Sequence, residues 1–331
     1  MHDYQASGTR YADMPYRVCG RSGLKLSAVG LGLWQSFGAE KGHEDCFRRV
    51  AAAFDLGITH FDLADNYGPP PGSAETVFGS VLGREFKAYR DELVVATKAG
   101  HEMWPGPYGD WGSRKHLVAG LDQSLLRLRL DYVDVFYHHR PDPETPLEET
   151  VGALADLVRQ GKALYIGLSK YPGDLLARAV ELLRGAGVPC VAHQARYNLI
   201  DRAEVERDQL PAAEEAGLGT VAFSPLAQGV LTGKYADGVP RDSRAGQGSP
   251  FIARHLSESN VAYARRVREV AVARGQTPAQ TALAWVLREP RVASAVIGAS
   301  TVEQLRENVA ALGNLRFDEH ELAALGCRRP E

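Results

Sequence analysis

The stretch "YVDVFYHHRPDPETPLEETVGALADLVRQGKALYIGLS" (residues 132–169) holds a β-rich apolar run (132–139), an amphipathic helical pattern (147–160) and a second β-rich run (163–169). A strand, a helix and a strand in that order predict two parallel strands with the helix packed on one face. The same rhythm extends in both directions. Further β-rich runs are "SAVGLGLW" (27–34), "ITHFDLA" (58–64), "LVVATKA" (93–99), "CVAHQARY" (190–197), "GTVAFSPL" (219–226) and "ASAVIGA" (293–299). Helical patterns fall near 43–56, 73–86, 113–128, 173–186, 203–216, 259–288 and 301–312, with Ser73, Ser113 and Thr301 as start signals. Gly275 followed by Thr277-Pro278 divides 259–288 into two helices.

Eight strand-helix units without a linker predict a single-domain α/β protein spanning 1–331, a closed (β/α)8 TIM barrel. The segment "YRVCGRSGLKLSAVG" (16–30) alternates around Gly20–Gly23 and predicts a β-hairpin ahead of the first barrel strand. Long loops follow strand three (100–112) and strand seven (227–256), on the face where such barrels place their chemistry.

The composition bounds the function. Apolar residues make up 44% and charged residues 24% of the 331, a globular balance, and the formal net charge is -3. That charge supplies no general attraction to a nucleic acid or an anionic membrane, so neither is expected as a partner. A phosphate-bearing ligand would need a local cluster of cations. Cys19, Cys46, Cys190 and Cys327 are scattered and lack metal-ligand spacing, which predicts free thiols and no metal site. The opening "MHDYQASGTRYADMPY" has no signal-peptide core, and no apolar run has membrane-spanning length, so a cytoplasmic location is expected.

Ionisable groups at strand ends point to a site. Asp62 and Tyr67 follow strand two, Lys98 ends strand three, and His138-His139 end strand four. Taken singly, each has a plainer explanation: a turn cap, an aromatic against the rigid Gly68–Gly72 turn, a solvated lysine, a structural histidine. Their arrival on consecutive strands suggests proton transfer at a carbonyl. A nearby lysine is expected to lower the phenol's pKa, and an aspartate to hold the lysine charged. Alternation sends His138 and His139 to opposite faces, without saying which one faces the site.

The blocks "GITHFDLADNYG", "VVATKAG", "YVDVFYHHRPD", "GKALYIGLSKY", "QARYNLI", "FSPLAQGVLTGKY" and "VIGASTVEQLRENV" resemble, in order, those of the aldo-keto reductase superfamily. The wording of "FDLADNYGPPPGSAE" is similar to the bacterial L-glyceraldehyde 3-phosphate reductase branch, which is related to potassium-channel β subunits. The resemblance implies a metal-free reductase of aldehydes using NADP(H), with methylglyoxal as a companion substrate, and a homo-oligomer (tetramer or octamer). A cofactor-binding regulatory protein like the channel β subunits is the alternative. Those subunits carry Asn at the position of His139, so the histidine favours the reductase.

The family's tetrad falls on Asp62, Tyr67, Lys98 and, counting five from Asp134, on His139. By the same matching, the nicotinamide carboxamide would meet Ser169 and Gln194, and its ring Phe223. Ser224, Pro225 and Leu226 would follow the pyrophosphate, Gln228 would also bind the cofactor, and Lys234 and Arg244 would meet the 2′-phosphate region. Gly298, Ser300, Gln304, Glu307 and Asn308 would bind the phosphate and adenine end. Trp34, Tyr67 and His139 would line the substrate pocket, with Trp34 and Asp62 also near the cofactor. Arg114 and Lys115 are further candidates for meeting a substrate phosphate. No role is assigned to Lys170.

Overall fold

In a computed structural model, residues 4–241, 243–253 and 255–327 are described. Residues 1–3 of the opening segment and positions 242 and 254 of the second long loop therefore lie outside the described part. An antiparallel hairpin, β1 (Tyr16–Val18) and β2 (Lys25–Ser27), precedes the barrel. Eight parallel strands then close on themselves: β3 (Val29–Gly32), β4 (His60–Asp62), β5 (Val94–Ala99), β6 (Val133–His138), β7 (Ala163–Ser169), β8 (Cys190–Arg196), β9 (Gly219–Phe223) and β10 (Val292–Ile297). They pair in chain order, and β10 returns to β3, giving the expected (β/α)8 barrel.

Most of the covering helices lie where amphipathic periodicity puts them: α1 (Gly42–Asp55), α2 (Ser73–Arg84), α3 (Arg114–Leu128), α4 (Leu147–Arg159) and α5 (Gly173–Gly185). Then come α6 (Leu210–Ala216), α7 (Pro250–Ala253), α8 (Glu258–Ala273), α9 (Pro278–Leu287), α10 (Val302–Val309) and α11 (Glu319–Ala324). Ser113, Thr277 and Thr301 accept hydrogen bonds from the backbone N–H of His116, Gln280 and Gln304, so these three start signals act as N-caps. Ser73 does not: Gly72, at φ 82°, is the cap, and Ser73 is already helical with its hydroxyl turned inward. The segment expected as a helix is helical throughout 203–216, with a π turn over Val205–Gln209 leading into α6.

Strand alternation sorts the core into two layers. Phe61, Phe136, Leu168 and Ala195 face outward and pack with Phe78, Leu121, Leu154 and Leu176 of the helices. Ala96, Val135, Tyr137, Ala192 and Val221 point inward and fill the barrel together with Cys19 and Leu26 of the hairpin. The hairpin plugs the N-terminal end: Arg17 donates to the Val292 and Leu287 carbonyls at 2.8 Å each, and the Cys19 thiol to the Val191 carbonyl at 3.2 Å. Inside, bulky rings are accommodated by missing side chains. A Cβ on Gly167 would lie 2.2 Å from the Tyr137 ring, and one on Gly30 2.7 Å from His60 Nδ1. With one end stoppered, the strands' C-terminal ends form the open mouth.

Candidate active site

Asp62, Lys98, Ser169, Gln194 and Phe223 all fall on the inward register at the mouth, and His139 follows β6 in the same register. Lys98 is the centre. It is fully buried, and its ammonium spends its hydrogens on Asp62 Oδ2 (2.7 Å), the Leu63 carbonyl (2.5 Å) and the Tyr67 hydroxyl (3.4 Å). The other Asp62 oxygen accepts from Gln194 Nε2 at 2.8 Å. That contact joins residues 132 apart in sequence, and no local pattern announces it.

Burial sets the electrostatics. It lowers the Lys98 pKa, opposed by the Asp62 carboxylate beside it. The Tyr67 phenol is pushed well above its ordinary value, first by burial and then by Asp62 and Asp65. The expectation that the lysine would lower it is therefore corrected: desolvation and two carboxylates outweigh one cation. Tyr67 is held as a neutral phenol.

His139 is nearly buried, with its ring centroid 6.0 Å from that of Tyr67 and an Nδ1 that finds no partner. Burial and the neighbouring Lys170 and Lys98 charges keep it neutral. His138 turns to the other side of the wall, where Nδ1 meets the Tyr171 hydroxyl at 2.6 Å. His101, from the loop after β5, lies edge-on to the His139 ring at 4.4 Å. That loop is braced by Arg140, which grips both Asp110 oxygens (2.7 and 2.9 Å), bonds the Gly100 carbonyl and stacks on Trp111.

The loop after β9 turns through consecutive left-handed residues, Ala227 (φ 46°), Gln228 (φ 58°) and Gly229 (φ 95°), preceded by Ser224 (φ 53°). Pro225 and Leu226 lie inside this turn. Gln228 Nε2 donates to Ser224 Oγ at 3.2 Å. Arg244 approaches Gln228 Oε1 and Ser36 Oγ at 3.5 Å each, and Ser36 lies 3.5 Å from Ser300. Loops after β3, β9 and β10 thus meet over one groove, and Ser36 belongs to it although no sequence signal singled it out. Trp34 makes an edge contact at 5.0 Å with Phe251 of α7.

Gln304 accepts from the Ser300 N–H at 2.9 Å, Gly298 faces open space, and Asn308 is buried in α10. The Glu307 carbonyl receives the Gln280 amide. Lys234 is exposed beside Gly229. Arg114 and Lys115 are engaged elsewhere: Arg114 pairs with Asp156 at 2.6 Å, and Lys115 lies over Tyr108. The four cysteines are free, and burial pushes Cys19, Cys46 and Cys190 up to about 12. Among the described residues no cluster suited to a metal ion occurs, and no helix is long and apolar enough to cross a membrane.

The profile of the Aldo/keto reductase family matches residues 28–326. The chain belongs to the aldo/keto reductase family. It is 52% identical over 324 residues to proteins of Escherichia coli strain K12 and of Escherichia coli O157:H7, each named L-glyceraldehyde 3-phosphate reductase. Those alignments cover 97% of this chain and 94% of each relative. A Schizosaccharomyces pombe protein named "Putative voltage-gated potassium channel subunit beta" is 39% identical, over 91% of this chain and 88% of its own. An aldo/keto reductase is an oxidoreductase that works with a nicotinamide cofactor.

The groove over the mouth suits such a cofactor. The Ser169 hydroxyl is buried with no partner, the Phe223 ring is partly open, and Arg244 is a half-buried cation without a carboxylate partner among the described residues. Uncompensated donors beside an aromatic face are what a phosphorylated, planar ligand would satisfy.

Proposed function

We propose that this aldo/keto reductase reduces small aldehydes to alcohols with NADPH, L-glyceraldehyde 3-phosphate foremost and methylglyoxal as a companion. The observation that carries the reading is the Asp62–Lys98–Tyr67 chain at the mouth of a barrel 52% identical to named L-glyceraldehyde 3-phosphate reductases. When bound, the nicotinamide supplies the hydride. Tyr67, kept neutral by burial, donates its proton to the oxygen of the carbonyl as negative charge gathers there. Lys98, anchored by Asp62 and Leu63, holds the phenol oxygen and stabilises the phenolate left behind. Neutral His139 orients the carbonyl oxygen through a ring N–H.

Ser169 and Gln194 would hold the carboxamide and Phe223 the ring of the nicotinamide. Ser224, Pro225 and Leu226 would follow the pyrophosphate, and Gln228 would also bind the cofactor. Lys234, Arg244, Gly298, Ser300, Gln304, Glu307 and Asn308 would take the 2′-phosphate and adenine end, with Trp34 closing over both ligands. A single 1–331 domain, a cytoplasmic location and a tetrameric or octameric assembly belong to the same proposal, and light scattering on the purified chain checks the last.

The test is a fluorescence titration with NADPH, followed by steady-state assays across phosphorylated and unphosphorylated aldehydes. Tight NADPH binding with aldehyde turnover is expected, and binding without turnover would refute the reductase reading. That outcome would favour the second reading, a cofactor-binding regulatory protein, which draws support from the 39% identity to the channel-subunit-named relative.

A further inference from the structure

Lys170 directly follows Ser169 and adopts φ 62°, a left-handed conformation that non-glycine residues seldom take outside turns and functional sites. Its N–H donates to the Gln194 carbonyl at 3.0 Å, so the turn is tied to the neighbouring strand β8. The side chain reaches the mouth: Nζ lies 3.3 Å from His101 Nε2 and 5.8 Å from the centroid of the Phe223 ring. Arg196 approaches that ring from β8, with its guanidinium at 5.7 Å.

Among the described residues the cations there lack a counter-ion. Among the described residues neither Lys170 nor Arg196 forms an ion pair with a carboxylate. Of the two acids in the adjoining loop, Asp110 is held by the Arg140 fork, and Glu102 is exposed and forms no ion pair among the described residues. His101 is neutral, since burial and then the Lys170 and Arg140 charges lower its pKa to about 4. Its Nε2 therefore accepts from the Lys170 ammonium, aiming that group while leaving its charge unbalanced. Burial, together with Lys98, Arg196 and Arg140, lowers Lys170 to about 8, which leaves it mostly protonated near neutrality. Crowded like charges at an open mouth are relieved by an anion.

The contacts also define a direction. Tyr67 leads to His139, His139 to His101, and His101 to Lys170. We propose that Lys170, aimed by His101 and flanked by Arg196, holds the terminal phosphate of the aldehyde substrate while its carbonyl faces Tyr67 and His139. This rests on the aldehyde-reductase reading and adds the residue that selects phosphorylated substrates.

The test compares kcat/KM for L-glyceraldehyde 3-phosphate and for unphosphorylated glyceraldehyde, at saturating NADPH, in the wild type, Lys170→Met and Lys170→Arg. Loss of one charge-assisted phosphate contact should lower the phosphorylated-to-unphosphorylated ratio by about tenfold or more in Lys170→Met, with most of it kept in Lys170→Arg. Inorganic phosphate should compete with glyceraldehyde in the wild type and compete about tenfold more weakly in Lys170→Met. A ratio unchanged in Lys170→Met overturns the subsite while leaving the reductase reading intact. A loss that appears in KM for NADPH instead assigns Lys170 to a cofactor phosphate and also overturns it. A wild type that turns over neither aldehyde refutes the reductase reading, and the subsite with it.

Discussion

Lys98 Nζ lies 2.7 Å from Asp62 Oδ2, with both side chains sealed from solvent beneath the barrel mouth. The pair serves position more than stability, because desolvating two charges offsets much of their attraction. Removing one partner strands the other.

Lys98→Met should therefore cost about 3–5 kcal/mol of stability and lower kcat by about 10²–10⁴-fold. The double variant Asp62→Asn/Lys98→Met should regain most of the stability and none of the activity. Urea unfolding and steady-state assays separate the two effects. Equal stability of the single and double variants would count against a paired charge at this position.

The adjacent histidines should divide by role. His138→Ala loses the bond to Tyr171 and leaves a cavity, costing about 2–4 kcal/mol with little change in kcat. His139→Ala should lower kcat by about 10² or more, with the smaller loss of stability. Activity lost equally in both variants would remove the distinction.

Arg244, half-buried without a carboxylate partner among the described residues, is proposed to meet the 2′-phosphate. Arg244→Ala should raise Kd for NADPH by about 10- to 100-fold and leave NADH nearly unaffected. Equal losses for the two cofactors in a fluorescence titration would remove that role.

His60, His138 and His193 are fully buried, and burial lowers them to about 4, about 3 and about 4 from 6.5. The folded state keeps them neutral, whereas the unfolded chain takes up protons below 6.5. Their contribution to stability is thus present above 6.5 and is lost as pH falls towards 4 and 3. The slope is up to about 1.4 kcal/mol per pH unit for each histidine. Urea midpoints measured at about pH 7.5, 6 and 5 should fall in that order, and a flat series would contradict the buried neutral state.

Much of this architecture is legible in the chain, because apolar runs and amphipathic periods repeat eight times and short loops leave little topological choice. Strand parity then carries Asp62, Lys98, Gln194 and Phe223 to one mouth. Parity alone left His138 and His139 unresolved, and the choice of His139 came from resemblance. The missing parts are non-local. Gln194 bonds Asp62 across the barrel, Ser36 meets Ser300 and Arg244 only when three loops fold together, and the direction of the Tyr67 shift depends on total burial. Lys170 carried no sequence signal, since its left-handed turn and its contact with His101 exist only in the fold.

In the proposed reaction everything turns on Tyr67 delivering the proton. Tyr67→Phe keeps the ring and removes only the hydroxyl beside Lys98, so the decisive measurement is kcat for this variant alongside its Kd for NADPH. In this variant kcat should fall by about 10²–10⁴-fold while NADPH binding stays close to that of the wild type. A variant that keeps most of its kcat would contradict that role of Tyr67.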